Sequence, residues 1–424
     1  MKKITELKNG IKFISHQLPS THSVTVSINF RIGSLYENDS NRGITHLVEH
    51  LFFRRWDTLP QAVLYFKTLS MGTEVLAQTY HDFVRFSIKV VPEFFLSAFN
   101  LISMCFNSFD WNTDEINSEK AVVIKQIENS YTSYEKLENN CYFKGTNYEH
   151  AIMGSADTVK LFSPNAINLW KKTYFCCNNS SVILTGNFSL NDYLYVQKKL
   201  SEVNNRGTCL KAMICKPVNF CKRNYNKRYN ILHSESDSSD ITVFFDISSD
   251  YNYETVRLIS GMLGEGCGSV LSMILRDKHF YTDEVYTDLT CYCGFYRLKI
   301  SYIVKNNDFT KSLSDLFQSV SQFKKSISKK DYLSNIYFFT KNQLMDYDDQ
   351  DSLNYKYALG DFVLSPLITE PNESKEKYEK ITIDDLQKCA QKIFITNNIS
   401  FLIQSSIDEI TVKQSIEQII NRFL

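Results

Sequence analysis

His46, Glu49 and His50 stand at i, i+3 and i+4 within Gly43-Ile44-Thr45-His46-Leu47-Val48-Glu49-His50-Leu51-Phe52-Phe53. Wound as an α-helix, at about 100° per residue, this stretch puts two imidazoles one turn apart on one face with a carboxylate beside them. Neutral imidazole nitrogens so spaced can share a divalent cation, and zinc takes them at about 2 Å while keeping a position open for water. A carboxylate next to a ligand, without being one, can accept the proton of that water and return it to a leaving amine. Glu49 is the candidate for this general base. Ile44, Leu47, Val48 and Leu51 form an apolar stripe on the opposite face, as a helix anchored on a core requires. The competing reading is a solvated face that happens to carry His, Glu and His, so the rest of the chain must decide.

Ahead of this helix, Asn9-Gly10 signals a turn, and residues 11–16 and 24–30 alternate in the manner of two strands forming a hairpin-like pair. The polar, turn-rich residues 33–43 lead into the helix. Beyond Pro60 the pattern predicts a helix over 61–69, strands over 74–79 and 82–91, and a buried helix over 95–106. His81 falls at the turn between those strands, with no partner motif, as a surface or hydrogen-bonded histidine. A charged helix over 114–128, capped by Thr113 or Asp114, carries Glu115, Glu119 and Gln126 on one face, because seven and eleven residues are about two and three turns. Glu128 faces away. Any further ligand from this helix therefore comes from its Glu119/Gln126 edge. A helix over 156–177, with Pro164 early in it, and a buried strand over 181–187 complete the first half.

Residues 206–231, with Gly207, Pro217 and a basic run at 222–228, read as a linker between halves 1–205 and 232–424. The second half repeats the order of element types: a strand over 241–247, a long helix from Tyr253 interrupted at 264–269, and a strand over 297–304. Helices near 308–324, 329–345 and 383–393 and a strand over 399–403 follow. A duplication is expected, with the H-x-x-E-H pattern in the first copy only. The Gly264-x-Gly266-x-Gly268 stretch interrupts a helix instead of following a buried strand, so it is no dinucleotide fingerprint.

At 424 residues the chain exceeds what one core usually serves, and two domains are expected. Lys+Arg and Asp+Glu both number 47, so no net charge recruits nucleic acid or an anionic membrane. No apolar stretch resembles a secretory signal or a membrane span, and a cytoplasmic chain is expected. The 11 cysteines are odd in number and scattered, which fits reduced thiols. Cys176-Cys177 and Cys291-Tyr292-Cys293 read as ordinary core cysteines. No Ser or Cys sits in a nucleophile motif with a His.

Taken together, Asn9-Gly10, Gly33-Ser34, the series from Arg42 to His50, Phe52-Phe53 and Glu119-Lys120-Ala121-Val122-Val123-Ile124 resemble the pitrilysin and mitochondrial processing peptidase family of H-x-x-E-H zinc metallopeptidases, the inverzincins. The resemblance covers nearly the whole length. It implies an α+β fold of two similar halves, each a mainly antiparallel sheet covered by helices, forming a clam-like chamber. An extended peptide would add a strand to the sheet edge near residues 75–79. It further implies zinc as cofactor, His46 and His50 as ligands, Glu49 as base, and Leu76, Ala77 and Arg276 as substrate-binding positions. Three positions depart from the family. The third ligand, a Glu in the family, is Gln126, whose amide oxygen carries no charge. Glu119, two turns earlier, either substitutes or supports. Leu76 replaces an Asn. Leu275-Arg276-Asp277-Lys278 is similar to the family's L-R-E-K, but its following tyrosine is Asp283 here, with Tyr281 and Tyr286 out of register. Several family enzymes work as pairs, so a homodimer or a heterodimer with a related chain is expected. The implied function is a zinc endopeptidase cleaving extended or small precursor peptides, alone or with a partner. The alternative is a non-catalytic peptide-binding or scaffolding subunit.

Overall fold

The computed structural model describes residues 2–130, 148, 151–207, 229–292, 294–363 and 369–424. Most of the expected linker, with its basic run, and Cys293 lie outside these residues. The chain forms two compact units, Met1–Lys216 with Asp346–Glu370, and Pro217–Met345 with Pro371–Leu424. A linear division at 206–231 therefore does not separate them, because a segment of the second half packs with the first.

The first unit is built on strands β1 (Lys2–Glu6), β2 (Lys12–Gln17), β3 (Val24–Phe30), the two-residue pair β4 (Arg55–Trp56) and β5 (Leu59–Pro60), β6 (Val75–Thr79), β7 (Val84–Val90) and β8 (Ser180–Gly186). Six of them form a sheet in the order β1-β2-β8-β3-β7-β6. The Asn9-Gly10 turn joins β1 to β2, with Gly10 at φ 96°. β2 and β3 are not the expected hairpin, because β8 lies between them, parallel to β2 and antiparallel to β3. Every residue of β3 and β8 is buried, so both strands are interior and each needs a partner along both edges.

Helices α1 (Ile44–Arg54), α2 (Gln61–Ser70), α3 (Phe95–Ile102), α4 (Thr113–Ser130), α5 (Ala156–Leu161), α6 (Pro164–Tyr174) and α7 (Leu190–Glu202) complete the first half. The single helix expected over 156–177 is two. Pro164 has no N–H to continue a helix, and Ser155 and Ser163 cap the separate starts through Thr158 N and Ala166 N. Phe30, Phe52, Phe86 and Phe175 meet in the core, Phe52 and Phe86 with ring centroids 4.9 Å apart.

The alternate residues of β3, Thr25, Ser27 and Asn29, are polar yet buried. They are covered by a helix from the second half, Gln350–Phe362, whose buried face mixes Gln350 and Asn354 with Leu353, Tyr357 and Ala358, so apolar periodicity marks it poorly. Ser27 Oγ donates to Asn354 Oδ1 at 2.6 Å, Asn354 Nδ2 donates to the Ile183 carbonyl at 3.0 Å, and His16 Nδ1 lies 2.6 Å from the Tyr357 hydroxyl. Each buried polar group so paired escapes the desolvation penalty of an orphan, roughly 1–3 kcal/mol.

The second unit carries β9 (Tyr229–His233), β10 (Ser238–Ser248), β11 (Tyr286–Tyr292), β12 (Phe295–Lys305) and β13 (Ile399–Ser405), in the order β11-β12-β10-β13-β9. Its helix Tyr253–Gly264 follows β10 as α1 follows β3, and a π-helical turn, Ser272–Lys278, precedes the edge strand β11. The expected duplication is thus visible in element order, two α+β halves of one plan. Among the described residues no helix is long and apolar enough to cross a membrane.

Candidate active site

The anchoring stripe of α1 is buried as expected: Leu47, Val48, Leu51 and Phe52 have no exposed surface and Ile44 almost none. Gly43 starts the helix at φ 88°, and a Cβ there would stand 2.4 Å from the Met153 carbonyl oxygen, so only glycine fits. The Glu37 carboxylate caps this start, accepting from Gly43 N at 2.7 Å and Thr45 N at 2.9 Å. Burial nevertheless pushes its pKa up to about 7.

The opposite face of α1 meets α4. The His46 and His50 rings stand 4.5 Å apart, centroid to centroid. His46 Nε2 is 3.2 Å from Gln126 Oε1, and His50 Nδ1 is 3.0 Å from Glu119 Oε1. Both contacts come from the Glu119/Gln126 edge, and Glu128 is exposed elsewhere. Glu49 is buried, and its Oε2 accepts from Thr79 Oγ1 at 2.9 Å. His46 Nδ1 lies 3.4 Å from Glu49 Oε2 but is not aligned for a hydrogen bond, and it is buried without another partner.

Glu119 has both oxygens engaged, Oε1 by His50 and Oε2 by Arg54 Nε. Burial alone would raise its pKa, yet the bonds from His50 and Arg54 outweigh burial and hold it below the usual carboxylate range. Burial likewise acts to lower the His50 pKa, and the Glu119 hydrogen bond, with the Glu49 and Glu119 charges, reverses that and raises it. Arg54 and Thr79 escaped the sequence reading. Arg54 could have been found, since it follows His50 by one helical turn; Thr79 could not, because its contact depends on where β6 lies.

No cluster of three His, Cys, Asp or Glu groups able to hold a metal occurs among the described residues. The third donor beside the two histidines is an amide. Two imidazoles, one of them with a buried ring nitrogen that has no partner, and an amide oxygen form a donor set that suits a zinc-like cation, with one fewer charge than a carboxylate would give.

Leu76 and Ala77 lie on β6, which pairs with β7 on one side and ends the sheet, and Leu76 is 54% exposed. Arg276 belongs to the second unit, on the π-helical turn, with Nη1 3.5 Å from Cys267 Sγ and Nε 3.2 Å from Asp277 Oδ1. Tyr281 donates to Asp315 at 3.0 Å, whereas Tyr286 is exposed at the start of β11. His81, half-buried, is hydrogen-bonded to Ser34 Oγ at 2.6 Å. Cys176 and Cys177 are core residues.

Residues 12–155 match the family described as insulinase (peptidase family M16), and residues 162–334 match the peptidase M16 inactive domain. The chain belongs to the M16 family. This is the pitrilysin and processing peptidase family that its motifs resemble. An uncharacterized zinc protease of Rickettsia felis is 21% identical over 94% of this M16 chain and 97% of its own length. The mitochondrial-processing peptidase subunit beta of Caenorhabditis elegans is 20% identical over 41% of this chain and 38% of its own. A protease from Helicobacter pylori, 17% identical, superposes with a TM-score of 0.81 over 95% of this chain and 99% of that one, which shows the shared fold.

Proposed function

We propose that this M16 chain is a zinc-dependent endopeptidase acting on extended peptides. The observation that carries the reading is the convergence of His46, His50 and Gln126 beside a buried Glu49 whose hydrogen bond goes to Thr79. Zinc bound by His46, His50 and Gln126 would polarise the scissile carbonyl and acidify the attacking water. Glu49 takes the water's proton on Oε1, the oxygen left open by Thr79, and passes it to the leaving nitrogen. A peptide added to the free edge of β6 would run beside Leu76 and Ala77, on the strand that holds Glu49 through Thr79. Arg276 supplies a guanidinium for substrate.

With Asp283 in place of the family's tyrosine, a second chain completing the substrate site fits this protein, as the naming of a relative as a processing peptidase subunit suggests. A cytoplasmic location is part of this proposal, supported by scattered, odd-numbered cysteines that fit reduced thiols.

The test is metal analysis of the purified chain with peptide cleavage by wild type and Glu49→Gln. Bound zinc and cleavage abolished by Glu49→Gln are expected; cleavage that survives the substitution removes the assigned base. The uncharged Gln126 favours a second reading, a peptide-binding subunit without catalysis, which would show peptide binding with neither zinc nor cleavage.

A further inference from the structure

Arg54 leaves α1 one turn after His50, on the same face. Its Nε donates to Glu119 Oε2 and its Nη1 donates to Gln61 Oε1 at 3.3 Å, so one guanidinium bridges α4 and α2. The carboxylate it grips is buried, with a side chain 8% exposed. A carboxylate paired with Arg is ionised and can only accept, so the 3.0 Å contact between Glu119 Oε1 and His50 Nδ1 requires the proton to sit on Nδ1. On the neutral ring that leaves the lone pair on Nε2, the nitrogen that Glu119 does not engage.

We propose that Arg54 is a positioning residue: by gripping Glu119 it fixes the tautomer and ring orientation of His50 for zinc, and it keeps Glu119 as a brace instead of a ligand. The inference rests on the metallopeptidase reading. Electrostatics alone argues the other way, because a fixed positive charge one turn from a cation site repels the cation. With a neutral amide as third donor no ligand charge offsets that repulsion; the Glu119 and Glu49 carboxylates beside the site do so in part, and orientation of His50 is the further gain the contacts show.

The sign of one measurement therefore separates the two effects. Zinc affinity of the full chain is measured by competition with a chromophoric chelator in wild type, Arg54→Leu, Arg54→Lys, Glu119→Gln and the double variant Arg54→Leu/Glu119→Gln. Loss of a group that orients a ligating histidine costs about 10–100-fold in metal affinity. Arg54→Leu is expected to weaken zinc by about tenfold, although it removes a repelling charge, and the double variant to bind no more weakly than Glu119→Gln alone, because Arg54 acts through Glu119. Unchanged or tighter binding in Arg54→Leu, or losses that multiply in the double variant, overturn the proposal. Thermal unfolding of each variant checks folding. Should Arg54→Leu not fold, Arg54→Lys decides, since it keeps the charge but loses the planar fork: a several-fold loss supports the proposal and wild-type affinity overturns it. Zinc binding absent from wild type and from Gln126→Glu alike would instead bring down the metal reading beneath it.

Discussion

Thr79 Oγ1 donates to Glu49 Oε2 at 2.9 Å, tying the outermost strand of the first sheet to the carboxylate between the two histidines. The bond holds one oxygen of a buried acid and leaves the other outside that contact. A hydrogen bond to a charged group contributes about 1.5–3 kcal/mol, and 1.4 kcal/mol is a factor of ten. Thr79→Val keeps the shape and removes the donor. Its kcat for a model peptide is expected to fall by about tenfold or more, with zinc affinity unchanged; an unaltered kcat would mean that Glu49 is held by packing alone.

Gln126→Glu restores an anionic donor beside His46 Nε2, now 3.2 Å from an amide oxygen. Charge on the third ligand should tighten zinc by on the order of tenfold or more, about 1.4 kcal/mol per decade. Chelator competition reads this directly. Affinity equal to that of the wild type would show that Gln126 stands outside the ligand set.

Gly43→Ala places a Cβ 2.4 Å from the Met153 carbonyl oxygen on a residue at φ 88°. The left-handed conformation alone costs an alanine about 1–2 kcal/mol, and the clash adds to it. Denaturation followed by tryptophan fluorescence is expected to shift to lower denaturant by an amount corresponding to about 2 kcal/mol or more, with weakened zinc binding, because the residue sets where α1 begins.

Asp82 and His81 oppose one another in pH dependence. Burial raises the Asp82 pKa from 3.8 to about 7, so its contribution to stability is full below the unfolded value and is lost as pH rises towards 7. Burial lowers the His81 pKa from 6.5 to about 4, so the unfolded chain binds the extra proton between those values and stability increases with pH there. Asp82→Asn silences the first and leaves the second. Relative to wild type, its thermal midpoint should climb between pH 4.5 and 6.5; parallel profiles for the two proteins would place the Asp82 titration elsewhere.

The face pattern of α1, the Glu119/Gln126 edge of α4 and the strand at residues 75–79 were legible because each follows from local periodicity. Three other features depend on distant chain. β8 enters between β2 and β3 from about 150 residues downstream, which no alternation within 11–30 reveals. Thr79 reaches Glu49 only once β6 is docked. The Gln350–Phe362 helix hides its role because buried Gln350 and Asn354 interrupt the apolar stripe of Leu353, Tyr357 and Ala358 by which helices are recognised.

That borrowed helix orders events on the ribosome. Ser27, Thr185 and Arg85 find Asn354, Gln350 and Asp351 only after Phe362 has been polymerised, so the nascent amino-terminal sheet must wait, one flank wet, through the synthesis of most of the chain. Fragments that stop at the midpoint should emerge as sticky, chaperone-bound species.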